Sequence, residues 1–297
     1  MDDSNIPPNQ PAITLPPLPS KQPHHPTPRI HPFSLIHPSS LPLIHPTATV
    51  GAFCLIGPNV TISARTTLLS HVSIPSNTTL GTDCTIHPFS VLGGPSQALA
   101  DKSQPPNTGK LTIGNSCTIR EGVTCNVGFS AKGTVIGNGC LLMANSHVSH
   151  DCVLGDEVIL VNGVLLAGHV TVGRGAIFAG MGGTVQFVRV GEYAYVGGAT
   201  VVSRDVLPYS MVKGYRGRTV GVNAVGLKRR GWTGERIQWV ERALRAVLRG
   251  DQEELSELVE RVGSTGKDDL MRVVDFARES EIGLCSLHEK VSGGAKL

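Results

Sequence analysis

The stretch LLMANSHVSHDCVLGDEVILVNGVLLAGHV, Leu141 to Val170, repeats every six residues. So short a constant period describes a coil of short flat strands, three to a turn, in which residues eighteen apart stack on successive rungs. Gly168 is therefore expected directly above His150. His147 and His150, with Asp151 beside them and His169 about one rung on, are expected to stand outward and close together.

Outward from that stretch the frame runs from Ile44 to Val202. Ile44, Val50, Ile56, Ile62, Leu68, Ile74, Leu80, Ile86 and Leu92 keep it, as do Ile136, Leu142, Val148, Leu154, Leu160, Leu166 and Val172. Two inward positions per six, with Gly, Asn or Asp at corners such as IGPN and LGDE, describe a mainly β chain folded as a parallel β-helix. Two insertions interrupt it. One lies between Leu92 and Ile113, a spacing of 21 that reads as three residues more than three repeats, and the other between Cys125 and Ile136 around VGFSAKG. Insertions in such coils leave from one edge and often line the binding face.

The ends differ from the middle. Residues 1 to 43 hold twelve of the twenty prolines and no apolar period, which predicts a disordered extension before a coil spanning 44 to 213. After Pro208 the pattern turns helical, giving a small C-terminal α-helical domain from 214 to 297. Ile237, Val240, Leu244, Val247 and Leu248 form one stripe, and Asp251 with Glu254 reads as a capping box for a second helix. A third helix is expected near Asp268 to Glu279. Such a domain covers the open strand edges of the coil.

Composition narrows the classes. Thirty-five glycines with only 4% aromatic residues suit a narrow coil interior. A net charge of +3 without a basic block gives no reason to expect nucleic acid, and no apolar run is long enough to predict a membrane span. Of seven cysteines, Cys54, Cys84, Cys117, Cys140 and Cys152 share one frame position with Ala, Ser, Thr and Val elsewhere. They read as small core residues in a reducing compartment.

Two chemistries suit the histidines. A neutral imidazole at His150 can take a proton from an alcohol, and the amide of Gly168 can donate to a developing oxyanion. Alternatively His147, His150 and His169 form a zinc site, as in a hydratase or hydrolase. A lone outward histidine, such as His45, His71 or His87, is ordinarily only a surface residue.

The motifs LLMANSHVSHDC, LAGHV, Gln186-Phe187, Val196-Gly-Gly198, Ile119-Arg-Glu121 and GVNAVGLKRRG at 221 to 231 together resemble the UDP-N-acetylglucosamine O-acyltransferase family of lipid A biosynthesis, over roughly Ile44 to Leu248. The resemblance implies a left-handed coil and a homotrimer with active sites between subunits. It implies transfer of an (R)-3-hydroxyacyl chain from acyl carrier protein to the glucosamine 3-hydroxyl of UDP-N-acetylglucosamine, without a cofactor or metal. By motif position His150 is the base, Asp151 its orienting acid and Gly168 the oxyanion donor. His147, His169 and Gln186 match positions near the sugar and acyl chain, and Gly198 matches the position that limits acyl length. Asn223, Arg229 and Arg230 match the nucleotide end. Arg236, Arg242, Arg245 and Arg249 could meet the acidic surface of the carrier protein.

The chain departs from the family's pattern at Ala98 and Ala100, where an Asp-Leu-Lys segment is usual, and at Asn126, Val185 and Val225. A non-catalytic homologue that only binds nucleotide sugar or carrier protein therefore stays open beside the enzyme and the zinc protein. By resemblance to plant homologues the destination is expected to be mitochondrial, with the cytoplasm as the alternative.

Overall fold

The computed structural model describes residues 27–98 and 108–288. The chain is a left-handed parallel β-helix of three sheets. Among the described residues these hold eleven, nine and seven strands and are here termed A, B and C. Strands mostly two residues long step by eighteen: Thr67 lies against Thr85 in sheet A, Leu55 against Ser73 in B and Thr61 against Thr79 in C. In most strands the first residue faces out and the second is buried. Each inward Ile, Leu or Val removed from water contributes on the order of 2 kcal/mol, which is how strands this short hold.

The cysteines confirm their core reading. All seven are free and buried. The five in-frame thiols each donate to a carbonyl one rung up, for example Cys84 to Gly114 O at 3.1 Å and Cys152 to Ala167 O at 3.1 Å. Burial pushes the Cys152 thiol up to about 12, so it stays protonated and inert.

The coil begins earlier than the period suggests. Arg29–Ile30 pairs with Thr49–Val50, and Leu35–Ile36 pairs with Leu55–Ile56, so the segment expected to be disordered up to residue 43 is folded from residue 29. Ile30 and Ile36 keep the six-residue step, but a 3-10 turn at Leu41–Leu43 inserts two residues before Ile44 and hides the continuity. Pro58 and Pro88 precede residues of positive φ, Asn59 (56°) and Phe89 (64°), the arrangement of a type II turn. The part of that expectation covering residues 1–26, with any targeting role, lies outside the described residues.

Both insertions leave from the corner between sheets B and C. Leu92 is in B and Ile113 in the next strand of C, a step that normally takes six residues, so fifteen are extra. The reading of three residues beyond three repeats is corrected accordingly. The two insertions meet: Lys110 and Gly128 exchange N–H···O bonds of 3.0 Å.

At the far end, Ser210–Lys213 and Arg218–Val222 form an antiparallel hairpin that extends sheet A past residue 213. Four helices follow: α1 (Ala224–Arg229), α2 (Gly234–Arg249), α3 (Gln252–Arg261) and α4 (Ser264–Arg278). Ile237, Val240 and Leu244 are buried against Leu227, Leu258, Leu270 and Val273, while Val247 and Leu248 pack at the margin. Asp251 caps α3 by accepting from the Glu254 N–H at 2.9 Å. The reciprocal half of the box is absent, because Glu254 pairs with Arg242 instead. The tail then returns to the coil, bridging Leu284 to Asp205 and Leu287 to Thr219.

Candidate active site

Stacking by eighteen puts His150, Gly168 and Gln186 in one column of the B–C corner, with Asp151, His169 and Phe187 in the column beside it. Asp151 (φ 60°), His169 (φ 61°) and Phe187 (φ 65°) all take the left-handed conformation that turns the chain. Corners throughout the coil do the same with Phe, His, Arg and Tyr as well as Asn and Asp, so the fold rather than the residue type sets it. His150 and Asp151 are buried, contrary to the outward placement expected for His150, and His169 is exposed.

His150 Nδ1 lies 3.0 Å from Asp151 Oδ2. The other carboxylate oxygen accepts the Ser130 N–H at 2.7 Å, and the Asp151 N–H donates to Thr134 Oγ1 at 2.9 Å. Burial works to raise the Asp151 carboxyl, but the bonds from the Ser130 N–H and His150, with a smaller contribution from His169 nearby, outweigh it and hold the group below its usual value. An ionised Asp151 only accepts, so Nδ1 is the nitrogen that donates to it and Nε2 is the ring's other nitrogen. That nitrogen faces Gly168, where a Cβ would come within 2.5 Å of it. The His169 ring meets His150 edge-on at 4.9 Å and stacks on Phe187 at 4.8 Å and 5°.

His147 belongs to a different network. Its Nδ1 is 2.7 Å from Thr124 Oγ1 and its Nε2 2.9 Å from Ser149 Oγ, and burial pushes its imidazole below the usual value. The three-histidine metal set is therefore not assembled. The donors that do converge, on His150, Asp151 and His169, lie within 4.8 Å of one another. A metal ion there would have to take Asp151 from its bonds to His150 and Ser130. In this arrangement the cluster is an oriented base beside a side-chain-free backbone, suited to deprotonating a hydroxyl and holding a tetrahedral oxyanion.

Of the remaining expected site residues, Gln186 continues this column and the others sit apart from it. Gln186 is exposed one rung above Gly168. Gly198 is on the A–B corner, and the only heavy atom a Cβ there would approach is Gly180 O, at 3.4 Å, so coil packing barely restricts it. Asn223 caps α1, accepting from the Gly226 N–H at 3.2 Å while its own amide donates to Tyr193 O at 2.9 Å. Arg230 pairs with Glu157 at 2.8 Å and lies 4.4 Å over the Tyr193 ring, while Arg229 is exposed. Glu157 and Tyr193 belong to the C–A corner, so the expected nucleotide end and the base occupy different corners of one chain. Arg236, Arg242 and Arg245 are each paired within the helical domain, to Asp269, Glu254 and Glu241, and are less available to an acidic partner than expected.

Ser130 and Thr134, which fix Asp151, and Thr124 and Ser149, which fix His147, were not singled out by sequence reasoning. The one signal for the first pair was the insertion itself, placed just before the rung of His150. Of the departures, Asn126 is buried and donates to Pro95 O at 2.8 Å, Val185 and Val225 are exposed, and Ala100 lies outside the described residues.

Comparison with known proteins places the chain among relatives. Residues 205–285 match the family model described as UDP N-acetylglucosamine O-acyltransferase, domain 2, and residues 133–168 match the bacterial transferase hexapeptide model. An acyl-[acyl-carrier-protein]--UDP-N-acetylglucosamine O-acyltransferase of Sinorhizobium fredii is 40% identical over 223 residues, covering 70% of this chain and 82% of that protein. The protein of the same name from Thermodesulfovibrio yellowstonii is 38% identical over 260 residues, 86% of this chain and 98% of the relative. The crystal structure of UDP-N-acetylglucosamine O-acyltransferase from Moraxella catarrhalis superposes with a TM-score of 0.79 at 35% identity, covering 86% and 99% of the two chains. Alignment of this extent, through both the coil and the helical domain, shows that the chain belongs to the UDP-N-acetylglucosamine O-acyltransferase family.

Proposed function

We propose that the chain transfers an (R)-3-hydroxyacyl group from acyl carrier protein to the 3-hydroxyl of UDP-N-acetylglucosamine, the opening step of lipid A biosynthesis. The observation that carries this reading is the buried His150–Asp151 pair with Nε2 turned to Gly168. His150 takes the hydroxyl proton as the sugar oxygen attacks the thioester carbonyl. The Gly168 N–H donates to the oxyanion, and collapse expels the carrier thiolate, which recovers the proton from the imidazolium. Asp151 holds the tautomer and stabilises the imidazolium.

Assembly as a homotrimer is part of the proposal. Leu35, Leu55, Leu165 and Val201 stand exposed along the outer face of sheet B. Phe33, Phe53, His71 and Phe89 form a continuous ring stack along its A–B edge. Monomers rarely expose a run of stacked apolar rings over four rungs, and a second copy of this chain is the partner that would cover it. The acyl chain is then held between copies, across sheet B towards Gly198. A mitochondrial destination rests on resemblance to plant relatives alone, and fractionation of cells expressing the tagged full chain tests it.

The deciding experiment is a mass-spectrometric assay of purified protein with UDP-N-acetylglucosamine and a mixture of hydroxyacyl carrier proteins. Acylated nucleotide sugar is expected, at least ~100-fold less of it per unit time from His150→Ala. Near-wild-type turnover by that variant sinks the assignment of the base. Binding without turnover in the wild type favours the non-catalytic reading.

A further inference from the structure

Arginine pairing divides this molecule. Among the described residues, eleven of the seventeen arginines have a carboxylate within ion-pair distance. Three of the other six, Arg204, Arg216 and Arg218, line one concavity of about 620 Å³, with Ser203, Ser286 and Tyr215 and with no acidic residue among its described lining. The Arg204 guanidinium is tied by one N–H to Ile282 O at 3.2 Å, which fixes its fork. Arg216 and Arg218 are delivered by the hairpin turn that joins the last two strands of sheet A, with the Arg216 guanidinium 5.8 Å from the centre of the Tyr215 ring.

Three cations gathered in a concavity repel one another, and no carboxylate among the described residues lines it. An anion does. Guanidinium forks with hydroxyl donors around them match the oxygens of phosphate, and the concavity has the size of a small-ligand site rather than of a flat docking patch. Its position is informative as well. Arg204 is the next member of the corner column of His150, Gly168 and Gln186, three rungs above the base, or about 14 Å at ~4.8 Å per rung.

We propose that the Arg204–Arg216–Arg218 pocket binds a phosphate group. The phosphate belongs either to a substrate engaged at the His150 corner, an assignment that rests on the acyltransferase reading, or to a free phosphorylated ligand. Full-length protein is titrated with inorganic pyrophosphate, against sodium chloride at matched ionic strength, while the melting temperature is followed. The wild type is expected to gain several degrees at a hundred-fold excess over Kd. Both R216A/R218A and R216Q/R218Q, whose exposed hairpin positions tolerate change, are expected to lose that gain while melting normally without ligand.

Kinetics then separate the sources. A KM raised roughly 10-fold or more for one substrate assigns the phosphate to it. Unchanged KM values with pyrophosphate binding lost assign a free ligand. No pyrophosphate-specific gain in the wild type, or an equal gain in both variants, overturns the site. Because the melting readout needs no turnover, failure of the acyltransferase reading is seen separately.

Discussion

Gly168 lies against the imidazole of His150 so closely that a single methyl group at residue 168 would sit 2.5 Å from Nε2 and 2.7 Å from Cε1. The glycine is thus required by the imidazole of His150, whatever the backbone at 168 donates to. Gly168→Ala should turn the ring off its Asp151 bond and lower kcat by roughly 100-fold, the cost of misplacing a catalytic group by about 1 Å. The His169 ring stands 4.9 Å away on the other side of a buried imidazole, so the displacement should also lower the melting temperature by a few degrees. Turnover within threefold of wild type would show that the column does not work as described.

Asp151 links catalysis to acid stability. Its carboxyl is lowered in the folded chain, so the folded state binds its proton less readily than the unfolded state does. The resulting stability is fully present above the ordinary carboxylate pKa and is lost as pH falls through the lowered folded value. Asp151→Asn removes that window, and the wild-type advantage measured by denaturant titration should shrink between about pH 5 and 2. At neutral pH the same variant should lose at least ~100-fold in kcat, because an amide no longer stabilises the imidazolium. A flat difference in stability across that range would refute the linkage.

How far the sequence could be read depends on where the period holds. Gly168 over His150 follows from eighteen-residue arithmetic because Val148, Leu154, Leu160 and Leu166 keep the frame without a break. Thr124 under His147 is twenty-three residues away, and Ser130 reaches Asp151 from an insertion with no period, so no arithmetic finds either. Ile30 and Ile36 escaped because two extra residues separate them from Ile44. The pairing of Arg230 with Glu157 joins residues seventy-three apart, across the junction of two folding patterns, and is visible only in three dimensions.

The ring stack on the A–B edge offers a test of assembly. Phe53 and Phe89 are 56% and 65% exposed in the single chain, and both flank His71. Phe53→Glu with Phe89→Glu puts carboxylates into a face proposed to be covered by a second copy. Light scattering after gel filtration should show trimer for the wild type and mainly monomer for the variant. If the pair of substitutions leaves the mass unchanged, this edge is not the interface.

Gly198 offers a test of the acyl track. Its surroundings admit a side chain with only slight movement, so Gly198→Met should fold and melt near the wild-type temperature. A long side chain at the end of sheet B should shift the preferred donor towards shorter chains, with kcat/KM for the longest accepted chain falling at least ~10-fold. The mixed-donor mass-spectrometric assay reads this directly, and an unaltered chain profile places the acyl group elsewhere.

The helical domain is held by a pair whose energetics can be separated from the site. Arg236 donates to both oxygens of Asp269, at 2.6 and 3.0 Å, and its guanidinium lies 3.5 Å over the Trp232 ring. Asp269 is buried and Arg236 is about one third exposed at the side chain. The two ends of the bond are therefore unequal. Arg236→Ala leaves a buried carboxylate without its cation and should cost about 3 kcal/mol in denaturant titration. Arg236→Ala with Asp269→Ala removes the stranded charge as well and should recover part of that loss, despite deleting more atoms. A double variant no more stable than the single one would mean that ring stacking on Trp232 and packing, rather than charge burial, dominate the junction. Turnover at 20 °C should be near wild type in both, since neither residue touches the His150 corner.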